Sequence, residues 1–181
     1  MDVYPTHRSA VLPEANLQNT AQNALNARSI DGGLGIENAL PGVPFPIPQT
    51  GAEAMWNHLL RYQGKTLAAT TSSYVVDSAG NASLSATSEG WIDLPIYRNM
   101  STVLSPMDIY YQIRVIYTAP ARRAGEAILA QDAVNALTQP RKAWQYLPGQ
   151  RRVKLAPELA YDTPNPEGGG TQNYDDAFVF N

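Results

Sequence analysis

Apolar and polar residues alternate most cleanly between Met107 and Tyr117. There Met107, Ile109, Tyr111, Ile113, Val115 and Tyr117 hold one parity, and Asp108, Gln112 and Arg114 the other. A period of two belongs to a β-strand with one face on apolar material. Tyr110 and Ile116 interrupt the polar parity, so that second face is expected to be partly covered. Leu67–Val76 and Leu84–Trp91, rich in Thr, Ser and Val, flank Ser78-Ala79-Gly80-Asn81 as the arms of a hairpin. Glu126–Asn135 reads as a further strand despite its alanines. Trp144–Tyr146 then pairs with Arg152–Leu155 across Leu147-Pro148-Gly149-Gln150, where Pro and Gly stand in positions a tight turn accepts.

The period lengthens in one segment. Ala52, Met55, Trp56, Leu59 and Leu60 follow the i, i+3, i+4, i+7, i+8 spacing of a single helical stripe, which predicts a helix over Gly51–Arg61 lying on the sheet. Thr50 and Glu53 stand in capping-box relation at its start, and Gly64 is placed to end it. A second, more polar helix is expected from Glu14 to Arg28, with Pro13 suited to the first turn and only Ala and Leu on its apolar side. Asp31-Gly32-Gly33-Leu34-Gly35 must turn. Pro41, Pro44, Pro46 and Pro48 then impose an extended path that no sheet interior accepts.

The expected fold is therefore α+β: a curved antiparallel sheet or half-closed barrel with covering helices. Residues 1–50 form an extended, Pro- and Gly-rich arm with little core of its own, and 51–181 the helix and sheet, part of a larger domain. Phe178-Val179-Phe180 resembles a strand interior, so its pairing partner is expected beyond residue 181.

A chain of 181 residues, 44% apolar, can bury roughly 70% of its unfolded surface. Ten Tyr and three Trp against three Phe favour sites where an aromatic body meets apolar surface and its tip meets water. No Cys is present, which excludes disulfides, thiolate metal sites and a Cys nucleophile. The first twenty residues lack the pattern of a secretory leader, and no stretch has the ~18 apolar residues of a transmembrane span.

A net charge of −3 argues against general nucleic-acid binding, although residues 122–154 hold seven of the thirteen Lys and Arg against two acids. In that segment Arg141, Lys142, Arg151, Arg152 and Lys154 surround Trp144 and Tyr146. Such a mixture can stack and neutralise single-stranded nucleic acid, but a strand pair with basic outward residues explains it more simply.

Candidate chemistry is sparse. The two histidines are His7, within Tyr4-Pro5-Thr6-His7-Arg8, and His58, off the apolar stripe of its helix, and a rim or loop role suits both. Gly32-Gly33-Leu34-Gly35 is not a phosphate cradle, because prolines rather than a helix follow it. Asp175-Asp176 lacks the further oxygen ligands calcium needs. Ser101 and Ser105 lack a nucleophile-elbow setting. No catalytic residue, metal or cofactor is expected.

Three stretches carry a family likeness: Val3–Ala10; Asp31–Gly35 leading through Pro44–Pro48 to Trp56–Tyr62; and Arg141–Val153 with Tyr161-Asp-Thr-Pro164. With them the chain resembles the secreted proteobacterial family called domain of unknown function 1329, DUF1329, over nearly all its length. The resemblance implies a periplasmic or outer-membrane-associated protein with a fold similar to the lipoprotein-localisation carriers LolA and LolB, whose concave apolar cavity receives acyl chains. The Trp144-x-Tyr146-x-Pro148 hairpin is similar to one in those carriers. Family members are longer and begin with a signal peptide, so a fragment of a larger protein is implied.

The expected function is binding or transfer of a hydrophobic ligand, a lipid or lipoprotein acyl chain, in an open β-barrel. Lining residues are expected to be Met55, Trp56, Leu59, Ile109, Tyr111, Ile113, Val115, Tyr117, Trp144, Tyr146, Val153 and Leu155, all on one concave side. The alternative is a non-catalytic scaffold that docks envelope transport proteins, or the rest of its parent chain, through the proline arm. An envelope hydrolase is the third reading.

Overall fold

The computed structural model describes residues 11–156, 163–165, 168 and 170–173. The expectations on Tyr4–Arg8, Tyr161, Asp175-Asp176 and Phe178–Phe180 fall outside these residues.

Among the described residues two α-helices, a small two-stranded sheet and a six-stranded antiparallel sheet make up the α+β fold. The large sheet is curved and not closed into a barrel. Helix α1 spans Glu14–Asn26. Strands β1 (Arg28–Ile30) and β2 (Gly35–Glu37) form a hairpin around the Asp31–Gly33 turn. Helix α2 covers Gly51–Leu59. Strands β3 (Thr66–Val76), β4 (Ala82–Asp93), β5 (Ile109–Ala119), β6 (Ala127–Ala133), β7 (Lys142–Leu147) and β8 (Arg152–Leu155) follow in spatial order, each paired to the next. Every strand read from alternation is present, and the turns fall where Gly, Pro and Asn placed them. Among the described residues no helix is long and apolar enough to cross a membrane.

Helix α2 begins as its sequence dictates, with Thr50 Oγ1 accepting from Glu53 N at 3.2 Å and Glu53 Oε2 accepting from Gln49 N at 2.5 Å. It stops two residues short of the expected Arg61. Side chains share its last carbonyls with the backbone: the Tyr97 hydroxyl donates to Leu60 O, and Arg61 Nη1 donates to His58 O at 2.7 Å beside the Arg61 N–H at 3.3 Å.

Helix α1 packs differently from its expected Ala and Leu stripe. Leu17 and Leu25 remain 49% and 75% exposed, while Asn16, Asn19 and Asn23 are buried. The reason lies in what the helix meets. The proline-rich strap after β2 has carbonyls that no sheet ladder satisfies, and the asparagines supply donors. Asn19 Nδ2 donates to Pro41 O at 2.9 Å and Met100 O at 2.7 Å, and Asn23 Nδ2 to Leu40 O at 2.9 Å and Val43 O at 3.2 Å. Asn23 Oδ1 accepts from Leu40 N at 2.7 Å.

The arm has no separate core but shares one. Ala27, Ile36, Ala39 and Phe45 are buried in one cluster with Trp56 of α2 and Leu60 at its C-terminal cap, Leu94, Ile96, Tyr97 and Leu104 of the β4–β5 connection, Tyr110 and Val134. Close approach explains two glycines of the Asp31–Gly35 turn. A Cβ at Gly33, where φ is +98°, would meet Ala52 Cβ of α2 at 2.6 Å, and one at Gly35 would meet Asn135 Nδ2 at 2.7 Å. Asn135 also donates to Asp31 Oδ2 at 2.6 Å, tying the N-terminal hairpin to the end of β6.

Candidate functional site

Residues directly opposite in an antiparallel ladder share a face, so the register sorts the side chains of the sheet. Ile113 pairs with Ile92 and Ala130, Ile92 with Leu67, and Ala130 with Ala143. This makes an apolar row across five strands. Ile92 and Tyr111, of the same parity, pack against the cluster that holds Trp56, so this face is the one under α2. Further along it Ala86, Tyr117 and Ile128 form a second small buried cluster with Val115 against it. Ile113, Val115 and Ala130 lie half-buried between the two.

Helix α2 therefore covers only one end of the face. Trp56 is buried there, its ring edge-on to Tyr110 at 5.7 Å and its Nε1 donating to Gly33 O at 2.9 Å, with Met55 and Leu59 half-buried beside it. Tyr110 comes inward because the β5–β6 register shifts between Ile109 and Tyr111. Its interruption of the polar parity was the sequence signal for this. Met107 lies before the strand and is 58% exposed.

One expectation is corrected. Leu129 opposes Arg114 and pairs with Trp144, and Trp144 pairs with Leu155; Ala127 opposes Ile116 and pairs with Tyr146, and Tyr146 with Val153. Trp144, Tyr146, Val153 and Leu155 thus lie on the face opposite Ile113, not beside it. The structure gathers Trp56, Leu59 and Tyr111 in one cluster and Val115 and Tyr117 in the other, with Ile113 between them on the same face. Met55 is half-buried on α2 outside that cluster, and Ile109, which the bulge pairs with Ala133 in the parity of Leu129, falls with the β7–β8 group on the opposite face.

The α2-side face has polar borders that the sequence reading missed. Arg141 holds Asp132 through two bonds of 2.7 Å, removing this arginine from the basic cluster assigned to it. Burial pushes the nearby Tyr111 hydroxyl up, the Asp132 carboxylate adding to it and Arg141 and Arg61 opposing, so Tyr111 stays neutral. At the other end Arg123 lies 3.6 Å over the Tyr117 ring and donates to Glu126 Oε2 at 3.0 Å, while Gln145 donates to Glu126 Oε1 at 2.6 Å. Burial works against the Arg123 cation, and Tyr117 and Glu126 more than offset it.

His58 is exposed, 3.1 Å from Arg61 Nη1. Among the described residues no three His, Asp or Glu side chains gather as a metal site would require. An open cleft of about 380 Å3 lies between α1 and the strap, lined by Asn23, Ala27, Arg28, Phe45, Ile47 and Glu53 among others.

A provisionally assigned outer membrane lipoprotein-sorting protein domain from Vibrio parahaemolyticus overlies 64% of this chain and 42% of its own, at 19% identity and a TM-score of 0.44. That likeness is too partial to carry a function across. An uncharacterized protein of Pseudomonas aeruginosa is 33% identical over 179 residues, which are 99% of this chain and 39% of the relative's length. The model of the family described as protein of unknown function, DUF1329, matches residues 1–181, and the chain belongs to that family.

Proposed function

We propose that this chain supplies part of a carrier that holds and passes on a hydrophobic ligand, a lipid or lipoprotein acyl chain, in the bacterial cell envelope, without catalysing a reaction. One observation carries the reading: the row Leu67, Ile92, Ile113, Ala130 and Ala143, apolar across five strands, continues out from under α2 with Ile113 and Ala130 half-buried. Small residues, Ala69, Gly90, Ala130 and Ala143, share this face with Ile113 and Val115, and the proposed ligand trough would run over them. At ~25 cal/mol per Å2, covering a few hundred Å2 of acyl chain contributes several kcal/mol with no special polar chemistry.

Delipidated protein is expected to take up fatty acids or lipopeptides in native mass spectrometry. Ile113→Ala is expected to change that uptake by several-fold while lowering stability by less than ~2 kcal/mol, because the side chain is only half-buried. A loss of ~2–5 kcal/mol with unchanged uptake would mean that Ile113 is packed core and that this face is not the binding surface.

The scaffold reading has less to work with. Pro41, Gly42, Pro44 and Phe45 of the arm are buried, so within its proline stretch Pro46, Ile47 and Pro48 are the part displayed for a partner.

A further inference from the structure

The β7–β8 hairpin and the sheet face opposite α2 carry a feature that the ligand trough does not use. Val153 and Leu155 are 65% and 61% exposed on β8, whose four residues are all exposed and which is the sheet's edge among the described residues. Their ladder partners Tyr146 and Trp144 are half-buried, and Leu129 and Ile116 extend the same apolar surface inward. Cations border it. Lys142 and Arg114 are exposed on this face, Arg114 lying 4.1 Å over the Trp91 ring, and Arg151 is exposed in the hairpin turn, whereas Arg152 and Lys154, paired with Leu147 and Gln145, project on the other side. Glu89 is the one acid in the two ladder rows of this apolar surface, and Asp93, at the far end of the row that holds Lys142, is bound by Arg98 at 2.6 Å.

From this arrangement we infer that the β7–β8 hairpin docks the protein on an anionic lipid bilayer. Trp and Tyr suit the headgroup level, where an apolar ring body meets a wet tip, and exposed aliphatics on an edge suit shallow insertion among acyl chains. The flanking Lys and Arg are attracted by the negative surface. Single-stranded nucleic acid fits the cations and the two aromatics equally well, but it offers nothing to Val153 and Leu155. Both project on the Trp144 face, where stacked bases would have to lie.

The test is co-sedimentation of the chain with vesicles containing phosphatidylglycerol, against vesicles of phosphatidylcholine alone, with an oligothymidylate competitor. Strong binding to the anionic vesicles is expected, weak binding to the neutral ones, and no displacement by the oligonucleotide. Each cation removed is expected to weaken binding about fivefold at low salt, so Lys142→Glu/Arg151→Glu should lose roughly twenty-fivefold or more. Val153→Asp/Leu155→Asp is expected to reduce binding at every salt concentration, with fatty-acid uptake on the other face unchanged. Brominated lipid should quench Trp fluorescence in the parent and not in Trp144→Phe. If the aspartate variant does not fold, the charge-reversal variant and the quenching decide the matter. Absent binding, equal binding to both vesicles, indifference to the substitutions or to bromine, or displacement by oligothymidylate would each overturn the inference. Loss of fatty-acid uptake in the parent would instead count against the trough.

Discussion

Asn23→Ala removes the most heavily used of the asparagine contacts between α1 and the proline strap. The amide makes three bonds to backbone, donating to Leu40 O and Val43 O and accepting from Leu40 N, and it is 2% exposed. At ~1 kcal/mol net each, the bonds account for about 3 kcal/mol, and a buried orphan such as Leu40 N–H adds up to ~1–3 more. Two effects pull the other way. Alanine is the better helix former by ~0.6 kcal/mol. The cleft that Asn23 lines also lets water reach part of the gap, which lowers the orphan cost.

The expected loss is therefore about 2–4 kcal/mol. For a chain of this size that is a fall in melting temperature of roughly 4–16 °C. Calorimetry on Asn23→Ala beside Asn26→Ala, an exposed asparagine three residues on, isolates the contact from helix propensity. Hydrogen exchange at the Leu40 amide should accelerate only in the first. A loss below ~1 kcal/mol with Leu40 still protected would show that the strap holds itself in place and that the asparagines merely accompany it.

Arg141→Ala leaves the Asp132 carboxylate, 7% exposed, without its two-bond partner, and should cost ~3–5 kcal/mol in urea denaturation; a cost below 1 would mean that water replaces the guanidinium. Trp56→Phe keeps the ring on Tyr110 but drops the bond to Gly33 O, and should cost ~1–2 kcal/mol. The Asp77 carboxyl is held below its ordinary 3.8 by the Asn81 side chain first and then by backbone amides of the β3–β4 turn. Because the folded value is depressed, the turn's contribution is complete above that ordinary value and is lost as pH falls through the lower one. NMR titration of Asn81→Ala should show the carboxyl move back up, and no movement would remove the assigned cause.

The strands were legible because alternation is enforced wherever one face meets apolar material, and Met107–Tyr117 shows it directly. Helix α2 was legible from a stripe that really is buried at Trp56 and Leu60. What alternation cannot supply is parity between distant strands. Ile113 and Trp144 are separated by two connections, and a single residue more or less in either would exchange the faces. The β7–β8 hairpin was therefore read correctly as a hairpin and assigned to the wrong side. Helix α1 was misread because hydrophobic patterning assumes an apolar partner, whereas the strap offers carbonyls. Arg141 and Asp132 become an evident pair only once Lys142 is known to oppose Gln131.

The bond from Asn135 to Asp31 joins residues 104 apart in sequence. A ribosome adding about 5–20 residues per second reaches Asn135 roughly 5–20 s after Asp31. Until Tyr110 has been made the N-terminal hairpin lacks the Tyr97, Leu104 and Tyr110 side chains that share a cluster with Ile36, and until Asn135 it lacks its anchor. The N-terminal hairpin thus stays partly unpacked on the nascent chain until residues 104 positions further on exist. Newly made protein should depend on holding factors for that period, and a refolding experiment started from the complete chain would never show the need.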